Sequence, residues 1–260
     1  MIYLDKGYIG FFEMAEKADR ADKNAGKRQL NGYVRQLREA GHKRIIAPIN
    51  GDIWHQYRLV SWTNGDAPFP LEPQNPLWYN DVYLECGFKP LKKYISDKTS
   101  IENFRLDSLR PLTGGGLSVR GFGENDLKLI YELSLLGFAG SFLYSSITFE
   151  EFSKLYQPFL PKLDKELALI AEVDGKAAGF VFSFLTGDSL VIKTVAVLPE
   201  YKSFRSIGVR LVGHAMAAGQ RKGAKTVIGA LMAEGNNSLK IASKHGGECF
   251  REYTLYCLEV

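Results

Sequence analysis

The pattern of apolar and polar positions in the first hundred residues predicts strands that alternate with helices. Aromatic and aliphatic residues cluster at 7–14 and again at 44–49, which is typical of strands. Between them, apolar residues follow helical spacing over 29–40, and Gly41 stands where a helix C-cap is expected. The other elements predicted in this part are a short helix at 54–59 behind the capping sequence Asn50-Gly51-Asp52, a proline-rich connection at 63–80, a helix at 81–86 and a strand at 91–95.

Beyond a glycine-rich segment at 112–116, the pattern predicts a longer series of elements. Asp174-Gly175 between two apolar runs is the strongest short turn signal in the chain and predicts a hairpin over 167–185. The other predicted elements are strands at 117–122, 189–197 and 225–232, helices at 124–138, 149–156, 206–222 and 237–244, and a closing strand pair or hairpin at 248–260. We therefore expect two α/β domains, at 1–110 and 112–260.

Composition places the chain among ordinary globular proteins. Of its 260 residues, 45% are hydrophobic and 24% are charged, which excludes a disordered chain. The 33 basic residues exceed the 29 acidic ones to give a net charge of +4. This mildly basic balance suits an anionic small molecule, whereas nucleic-acid binding calls for a basic stripe that the sequence lacks.

Cysteines and terminal features bear on compartment and metal binding. The three cysteines are too few and too scattered for a disulfide framework or a metal site, and they fit a reducing compartment. The first residues lack a signal-peptide pattern, and no apolar run approaches the roughly 20 residues that span a bilayer. We expect a cytoplasmic protein without a metal or a membrane partner, and the sequence leaves a homodimer open.

The most informative stretch is the strand that ends in Val195-Ala-Val-Leu-Pro-Glu-Tyr201 and runs through a short loop into a helix. A helix that begins there directs unpaired backbone N–H groups and the positive end of its dipole toward one point, which suits a pyrophosphate. Gly208 would let the ligand approach the backbone closely, and three nearby basic residues would add positive charge: Lys202, Arg205 and Arg210.

This stretch resembles the acetyl-CoA signature of the GNAT superfamily of N-acetyltransferases. The resemblance covers 117–260 in element order, is sharpest at 194–212, and implies a mixed, mostly antiparallel GNAT-type sheet flanked by helices (α+β). By resemblance, the cofactor-binding residues are Val195, Val197, Lys202, Arg205, Ser206, Ile207, Gly208, Val209, Arg210 and Asn236. Three departures occur. Ser206 replaces the first loop glycine, and the loop is about one residue longer than in the family, which leaves Lys202 and Arg205 both open as its Gln/Arg position. Ser243 stands where many members carry a thiolate-protonating tyrosine.

The resemblance implies direct transfer of an acetyl group from acetyl-CoA to a primary amine of a small molecule or peptide. The backbone near Val195 and Val197 would bind pantetheine and polarise the thioester carbonyl. Glu172 and Glu234 are both open as the base, and Ser243 and His245 are the candidates near the acid position. The alternative function is a non-catalytic acyl-CoA-binding or regulatory module.

The order of elements in the first hundred residues resembles the second half of the same fold. We interpret 1–110 as a truncated, degenerate GNAT-like domain that is structural or shapes the acceptor site and binds no CoA. Carboxylates after the first strand, at Glu16, Asp19 and Asp22, stand where phosphates would lie and would repel them. The alternative is an unrelated α/β domain.

Overall fold

A computed structural model describes residues 1–13, 20–104, 116–201 and 207–260. The strands are β1 (Ile2–Tyr3), β2 (Tyr8–Ile9), β3 (Arg44–Ala47), β4 (Leu59–Thr63), β5 (Lys89–Ser100), β6 (Leu117–Gly121), β7 (Ala168–Val173), β8 (Lys176–Thr186), β9 (Ser189–Val197), β10 (Thr226–Ala233) and β11 (Glu248–Glu259). The helices are α1 (Arg20–Glu39), α2 (Tyr79–Glu85), α3 (Leu127–Phe138), α4 (Phe149–Tyr156), α5 (Ile207–Arg221) and α6 (Asn237–Lys244).

The described residues group into two compact units that interleave along the chain. The first unit comprises 1–96, 231–236 and 249–260, and the second comprises 97–230 and 237–248. This grouping differs from the expected division into 1–110 and 112–260, because β5 and β10 each begin in one unit and end in the other. The expected boundary near 110–112 lies outside the described residues.

The first unit is built around a strand-helix-strand arrangement. β2 and β3 pair in parallel, and α1 connects them. β3 and β4 both pair antiparallel with β11, β3 with its second half and β4 with its first half. The core is aromatic and aliphatic, with Leu30 and Leu37 of α1 fully buried against Tyr83 and Phe88.

Two predictions for the first unit are wrong. Residues 54–59 do not form a helix: Leu59 is the first residue of β4, and the chain before it is irregular. The capping signal is nevertheless real, because the Asp52 carboxylate accepts the backbone N–H groups of Trp54 and His55 at 2.8 and 3.1 Å. The strand expected at 7–14 is also shorter, because regular pairing ends at Ile9; Met14 lies outside the described residues.

The second unit confirms the expected sheet. β6, β7, β8 and β9 form successive antiparallel pairs, and β10 pairs with β9 in parallel. The hairpin turn is as predicted: Asp174 and Gly175 have φ of 51° and 75°, and a two-residue turn of this kind requires both to be positive.

Helices cover both faces of this sheet. An added Cβ at Gly137 of α3 would meet Ala196, whereas one at Gly208 of α5 would meet Val195 and Val197. Because neighbouring residues of a strand point to opposite faces, α3 and α5 lie on opposite sides of β9. The predicted α+β fold, a mixed and mostly antiparallel sheet flanked by helices, is confirmed.

The closing strand pair predicted at 248–260 is also wrong, since one continuous strand occupies Glu248–Glu259. The segment contains no glycine, proline or asparagine that could turn it back. A register shift between Glu252 and Tyr253 is the single irregularity in its ladder with β4. In the described part of the chain, no helix is long and apolar enough to span a membrane.

Candidate functional site

The two parallel strands of the second unit separate part-way along their length. The β9–β10 ladder runs from Ser189 paired with Thr226 to Ile192 paired with Gly229 and continues no further. β9 itself extends to Val197, and its pairing with β8 is kept to that residue. Among the residues that the structure describes, the second half of β9 is therefore paired on its β8 side only.

The unpaired edge of β9 carries the backbone groups of Val195 and Val197. The Leu198 N–H donates to the carbonyl of Ala178 in β8 at 2.9 Å, so this residue faces β8. Backbone groups of a strand alternate between its two edges, so Ala196 also faces β8 while Val195 and Val197 face the opposite edge. Their N–H and C=O groups are open to a ligand.

Helix α5 begins close to this edge. Ile207 is its first residue and is buried, with 2% of its surface exposed, in a core that includes Val195 and Val197. The first N–H groups of the helix have no partner within it and carry the positive end of its dipole. Val209 is 52% exposed and Arg210 is partly exposed on the first turn. Lys202, Arg205 and Ser206 lie outside the described residues.

Gly208 faces the sheet. An added Cβ would lie 3.5 Å from Val197 Cγ2 and 3.7 Å from Val195 Cγ1, which are ordinary contact distances. The structure therefore places Gly208 against Val195 and Val197. Sequence analysis did not predict this packing.

We expect Gly208→Ala to fold at least as stably as the wild type. The methyl group fits the space beside the valines, and alanine favours a helix over glycine by roughly 0.5–1 kcal/mol. Gly208→Asp should instead lower the free energy of unfolding, because its carboxylate would face two apolar side chains. Urea denaturation measures both, and a destabilised alanine variant beside a stable aspartate variant would contradict this geometry.

The remaining predicted site residues lie around α6. Asn236 is exposed in the turn that follows β10, where its N–H donates to the Ala233 carbonyl at 2.9 Å. Ser243 is exposed near the end of α6. The His245 ring stacks on Phe104 with centroids 4.4 Å apart, and its Nδ1 lies 3.2 Å from the Asn103 carbonyl oxygen. These contacts give His245 a structural role.

The two candidate bases are not equivalent. Glu172 on β7 is bound by the Arg120 guanidinium at 2.8 Å, and the same guanidinium binds Asp126 at 2.6 Å. Glu172 is therefore part of a surface ion-pair network. Glu234 is exposed beyond the end of β10 and is fixed through its main chain to Lys93.

Asp97 is a candidate that sequence analysis missed. Its carboxylate accepts a hydrogen bond from the N–H of Gly229, the last β10 residue paired with β9. Asp97 is 6% exposed. Burial raises the pKa of Asp97 to about 6, against the opposing effect of the Gly229 N–H. The sequence carried no signal for it, because Asp97 lies past the predicted end of that strand and residues 96–100 are all polar.

Metal binding has no support in the described ranges, which contain no group of three or more His, Cys, Asp or Glu residues placed to hold an ion. In the described residues, the donor set of the site consists of main-chain groups, a helix N-terminus and Arg210. Such groups suit an organic anion with amide groups.

Comparison with known proteins finds a family match for part of the chain. Residues 136–246 match the model of the acetyltransferase (GNAT) family. No curated protein matches the sequence.

Solved structures show the same fold over nearly the whole chain. A GCN5-related N-acetyltransferase from Sphaerobacter thermophilus aligns with a TM-score of 0.58 and 16% identity, over 91% of this chain and 67% of that one. A tandem GNAT protein from the clavulanic acid biosynthesis pathway aligns with a TM-score of 0.56 and 12% identity, over 92% and 71%. The glucosamine N-acetyltransferase region of a fungal multi-domain GH3 beta-N-acetylglucosaminidase aligns with a TM-score of 0.61 and 13% identity, over 96% and 29%.

At these identities the structural likeness establishes the fold alone. The diverging β9 and β10, with α5 beginning beside them, lie within the segment that the family model matches. Residues 136–246 of this chain match the acetyltransferase (GNAT) family, for which acyl transfer is the general chemistry.

Proposed function

We propose that the chain is an N-acyltransferase that moves an acetyl group from acetyl-CoA to a primary amine of a small molecule or peptide. The observation that carries this proposal is the end of the β9–β10 ladder at Ile192 and Gly229. It leaves the main-chain groups of Val195 and Val197 open beside the first turn of α5.

The residues present fit the donor. Pantetheine contains two amides, and the open N–H and C=O groups of β9 can pair with them as a neighbouring strand would. The first turn of α5 offers N–H groups and positive dipole to the pyrophosphate, and Arg210 adds charge. Lys202 and Arg205 are proposed to add further charge from the preceding loop.

The proposed transfer is a direct displacement. The lone pair of the neutral amine attacks the thioester carbonyl carbon to form the C–N bond, and the C–S bond then breaks with its electron pair leaving on sulfur. A β9 N–H near Val195 or Val197 stabilises the oxyanion formed between these steps. One proton leaves the nitrogen and one reaches the thiolate, which gives an amide and CoA.

We assign the base role to Asp97. A base that works near neutral pH needs a raised carboxyl pKa, and burial supplies it here. Its hydrogen bond to Gly229 holds the carboxylate at the residue where the strands begin to separate. Glu172 is less suited because Arg120 keeps it ion-paired.

Ser243→Ala should change turnover little. Ser243 is exposed, and a serine hydroxyl is a far weaker acid than a phenol with a pKa near 10, so Ser243 offers the thiolate no better proton source than solvent water. Steady-state assays at saturating donor measure this. A hundredfold loss of kcat with unchanged donor binding would give Ser243 the acid role instead.

Turnover tests the proposed function. Wild-type protein, acetyl-CoA and a panel of primary amines should release free thiol in step with acetylated product. Acetyl-CoA or CoA at about 100 times its dissociation constant should also stabilise the fold by about 2.7 kcal/mol, seen as a rise in melting temperature. Stabilisation without turnover on any amine would favour the second candidate, a non-catalytic acyl-CoA-binding module, which the exposed Ser243 at the acid position supports.

A further inference from the structure

Three Asn-Gly pairs occur in the sequence, at 31–32, 50–51 and 64–65. This dipeptide is chemically labile, because glycine has no side chain to shield its main-chain nitrogen, which can attack the amide carbon of the preceding asparagine. The fold decides which of the three pairs can react, since the attack requires an accessible glycine nitrogen and an asparagine side chain that is free to turn toward it.

Two of the pairs are held in settings that oppose this attack. The pair at 31–32 lies within α1, where the helix engages the glycine N–H in a hydrogen bond and fixes the backbone. In the pair at 50–51, Gly51 is buried, and a Cβ added to it would lie 3.0 Å from the Tyr3 ring. Asn50 Oδ1 accepts the Phe11 N–H at 2.6 Å. We therefore expect both pairs to be stable in the folded protein.

Asn64-Gly65 lies instead in an open turn directly after β4. Both residues are exposed, and a Cβ added at Gly65 would meet no atom of the described chain within 4 Å beyond its own neighbours. Gly65 has a φ of +101°, a value that strongly favours glycine, so the turn itself requires the labile pair. The Asn64 N–H donates to the Phe250 carbonyl at 3.0 Å, which attaches the turn to β11.

Two local hydrogen bonds prepare the reacting groups of this turn. Asn64 Oδ1 accepts the Asp66 N–H at 2.9 Å, which polarises the amide and would stabilise the oxyanion formed on attack. The Gly65 N–H donates to Thr63 Oγ1 at 3.1 Å, so the proton that Gly65 must lose already has an acceptor. The turn thus supplies both an activating donor and a proton acceptor to its own main chain.

We propose that Asn64-Gly65 is a self-modification site, at which Asn64 converts to aspartate and isoaspartate. The Gly65 nitrogen loses its proton to solvent through the Thr63 hydroxyl and forms a bond to Asn64 Cγ. The Cγ–Nδ2 bond then breaks, and Nδ2 leaves as ammonia with a proton from water. One water molecule opens the resulting succinimide: cleavage of the new C–N bond gives aspartate, and cleavage of the original peptide bond gives isoaspartate. This proposal is independent of the proposed function.

The isoaspartate product would disturb a buried ion pair of the same unit. Arg251 Nη2 donates to the Asp66 carbonyl, and Arg251 Nη1 lies 2.9 Å from Glu72 Oε2. Isoaspartate at position 64 adds one carbon to the main chain two residues before Asp66, so that carbonyl must move relative to the guanidinium. Aspartate keeps the main chain and the acceptor for the Asp66 N–H. We therefore expect the isoaspartate form to have the lower melting temperature.

Incubation of the folded full-length protein at mildly alkaline pH tests the proposal, with the same protein in guanidinium chloride as the unprotected reference. Proteolytic digestion and mass spectrometry give the conversion rate at each pair. Asn64 should convert at least as fast in the folded protein as in the denatured one, whereas positions 31 and 50 should convert about tenfold or more slowly when folded.

A matched pair of variants tests the role of the hydroxyl. Thr63→Val keeps the shape of the side chain and removes the proton acceptor, so it should slow conversion at Asn64 about threefold or more. Thr186→Val, at the end of β8, alters a threonine that is also half-buried and should leave that rate unchanged. Asn64→Asp supplies the aspartate form and should melt close to the wild type, above isoaspartate protein separated after incubation.

Three results would overturn the proposal. They are slower conversion of Asn64 in the folded protein than in guanidinium chloride, conversion at position 31 or 50 as fast as at Asn64, and equal rates at Asn64 in folded Thr63→Val and Thr186→Val. The first two comparisons use the wild type alone, so they decide the proposal even where Thr63→Val does not fold. Equal melting temperatures of the isoaspartate protein and Asn64→Asp would contradict the expected effect on Arg251.

Discussion

Glu72→Ala is expected to lower the free energy of unfolding by about 3–5 kcal/mol, because it leaves a buried guanidinium unpaired. The Glu72 side chain is fully buried and that of Arg251 is 6% exposed, with 2.9 Å between Nη1 and Oε2. Glu72 also accepts the Tyr253 hydroxyl and the Phe69 N–H. Through these bonds it attaches the proline-rich connection to β11.

Urea denaturation of matched variants tests this expectation. Glu259→Ala removes a carboxylate that pairs with Arg44 at the surface and should change stability far less. Removing both charges, as Glu72→Met with Arg251→Met, should recover much of the loss, because an apolar pair leaves no buried charge unpaired. If Glu72→Ala and Glu259→Ala lowered the free energy of unfolding equally, the buried pair would contribute no more to stability than the surface pair.

Asp97→Asn is expected to make the protein more stable and less active at neutral pH. The folded protein retains a proton on Asp97 up to a pKa of about 6, whereas the unfolded chain releases it near 4. The wild type therefore loses stability as the pH rises through this window, by on the order of 2 kcal/mol, and the asparagine variant does not. Asparagine can still accept the Gly229 N–H.

Unfolding at several pH values and the pH profile of kcat/KM test the two effects. If Asp97 is the base, its loss should lower kcat/KM by about a hundredfold or more and remove the acidic limb near pH 6. Asp81→Asn, at an exposed carboxylate of α2, should leave turnover unchanged. An unchanged pH–rate profile in Asp97→Asn would reject the base assignment even if stability rises as expected.

Local signals were sufficient for most of the second unit. Asp174-Gly175 predicted the hairpin because only residues that tolerate positive φ fit such a turn. The strand that ends at Val197 and the helix that begins at Ile207 followed from periodicity. Each of these signals lies within a few residues of the element that it predicts.

The failures occurred where distant contacts decide the structure. The Asp52 carboxylate binds N–H groups of the residues that follow it, as a residue at the start of a helix would. The chain nevertheless forms β4 a few residues later, because β4 pairs with β11 near the other end of the sequence. Asp97 showed no motif, since its environment comes from strands that are far apart in sequence. The burial that raises its pKa is visible only in the folded protein.

In the first unit, the parallel strands β2 and β3 do not separate in the way that β9 and β10 do. Beyond the Tyr8–Ile46 pair, the Ile49 N–H donates to the Ile9 carbonyl at 2.9 Å, and the Phe11 N–H donates to Asn50 Oδ1 at 2.6 Å. The chain after β2 therefore stays hydrogen-bonded to the chain after β3 at these two positions. That this part of the chain binds no CoA stays a prediction.

The crystal structure of the wild-type protein with CoA tests the central claim most directly. We predict one CoA per chain, with pantetheine amides on the backbone of Val195 and Val197 and the pyrophosphate at the first turn of α5. CoA bound beside β2 and β3, or bound without contact to Val195, Val197 and α5, would contradict the account.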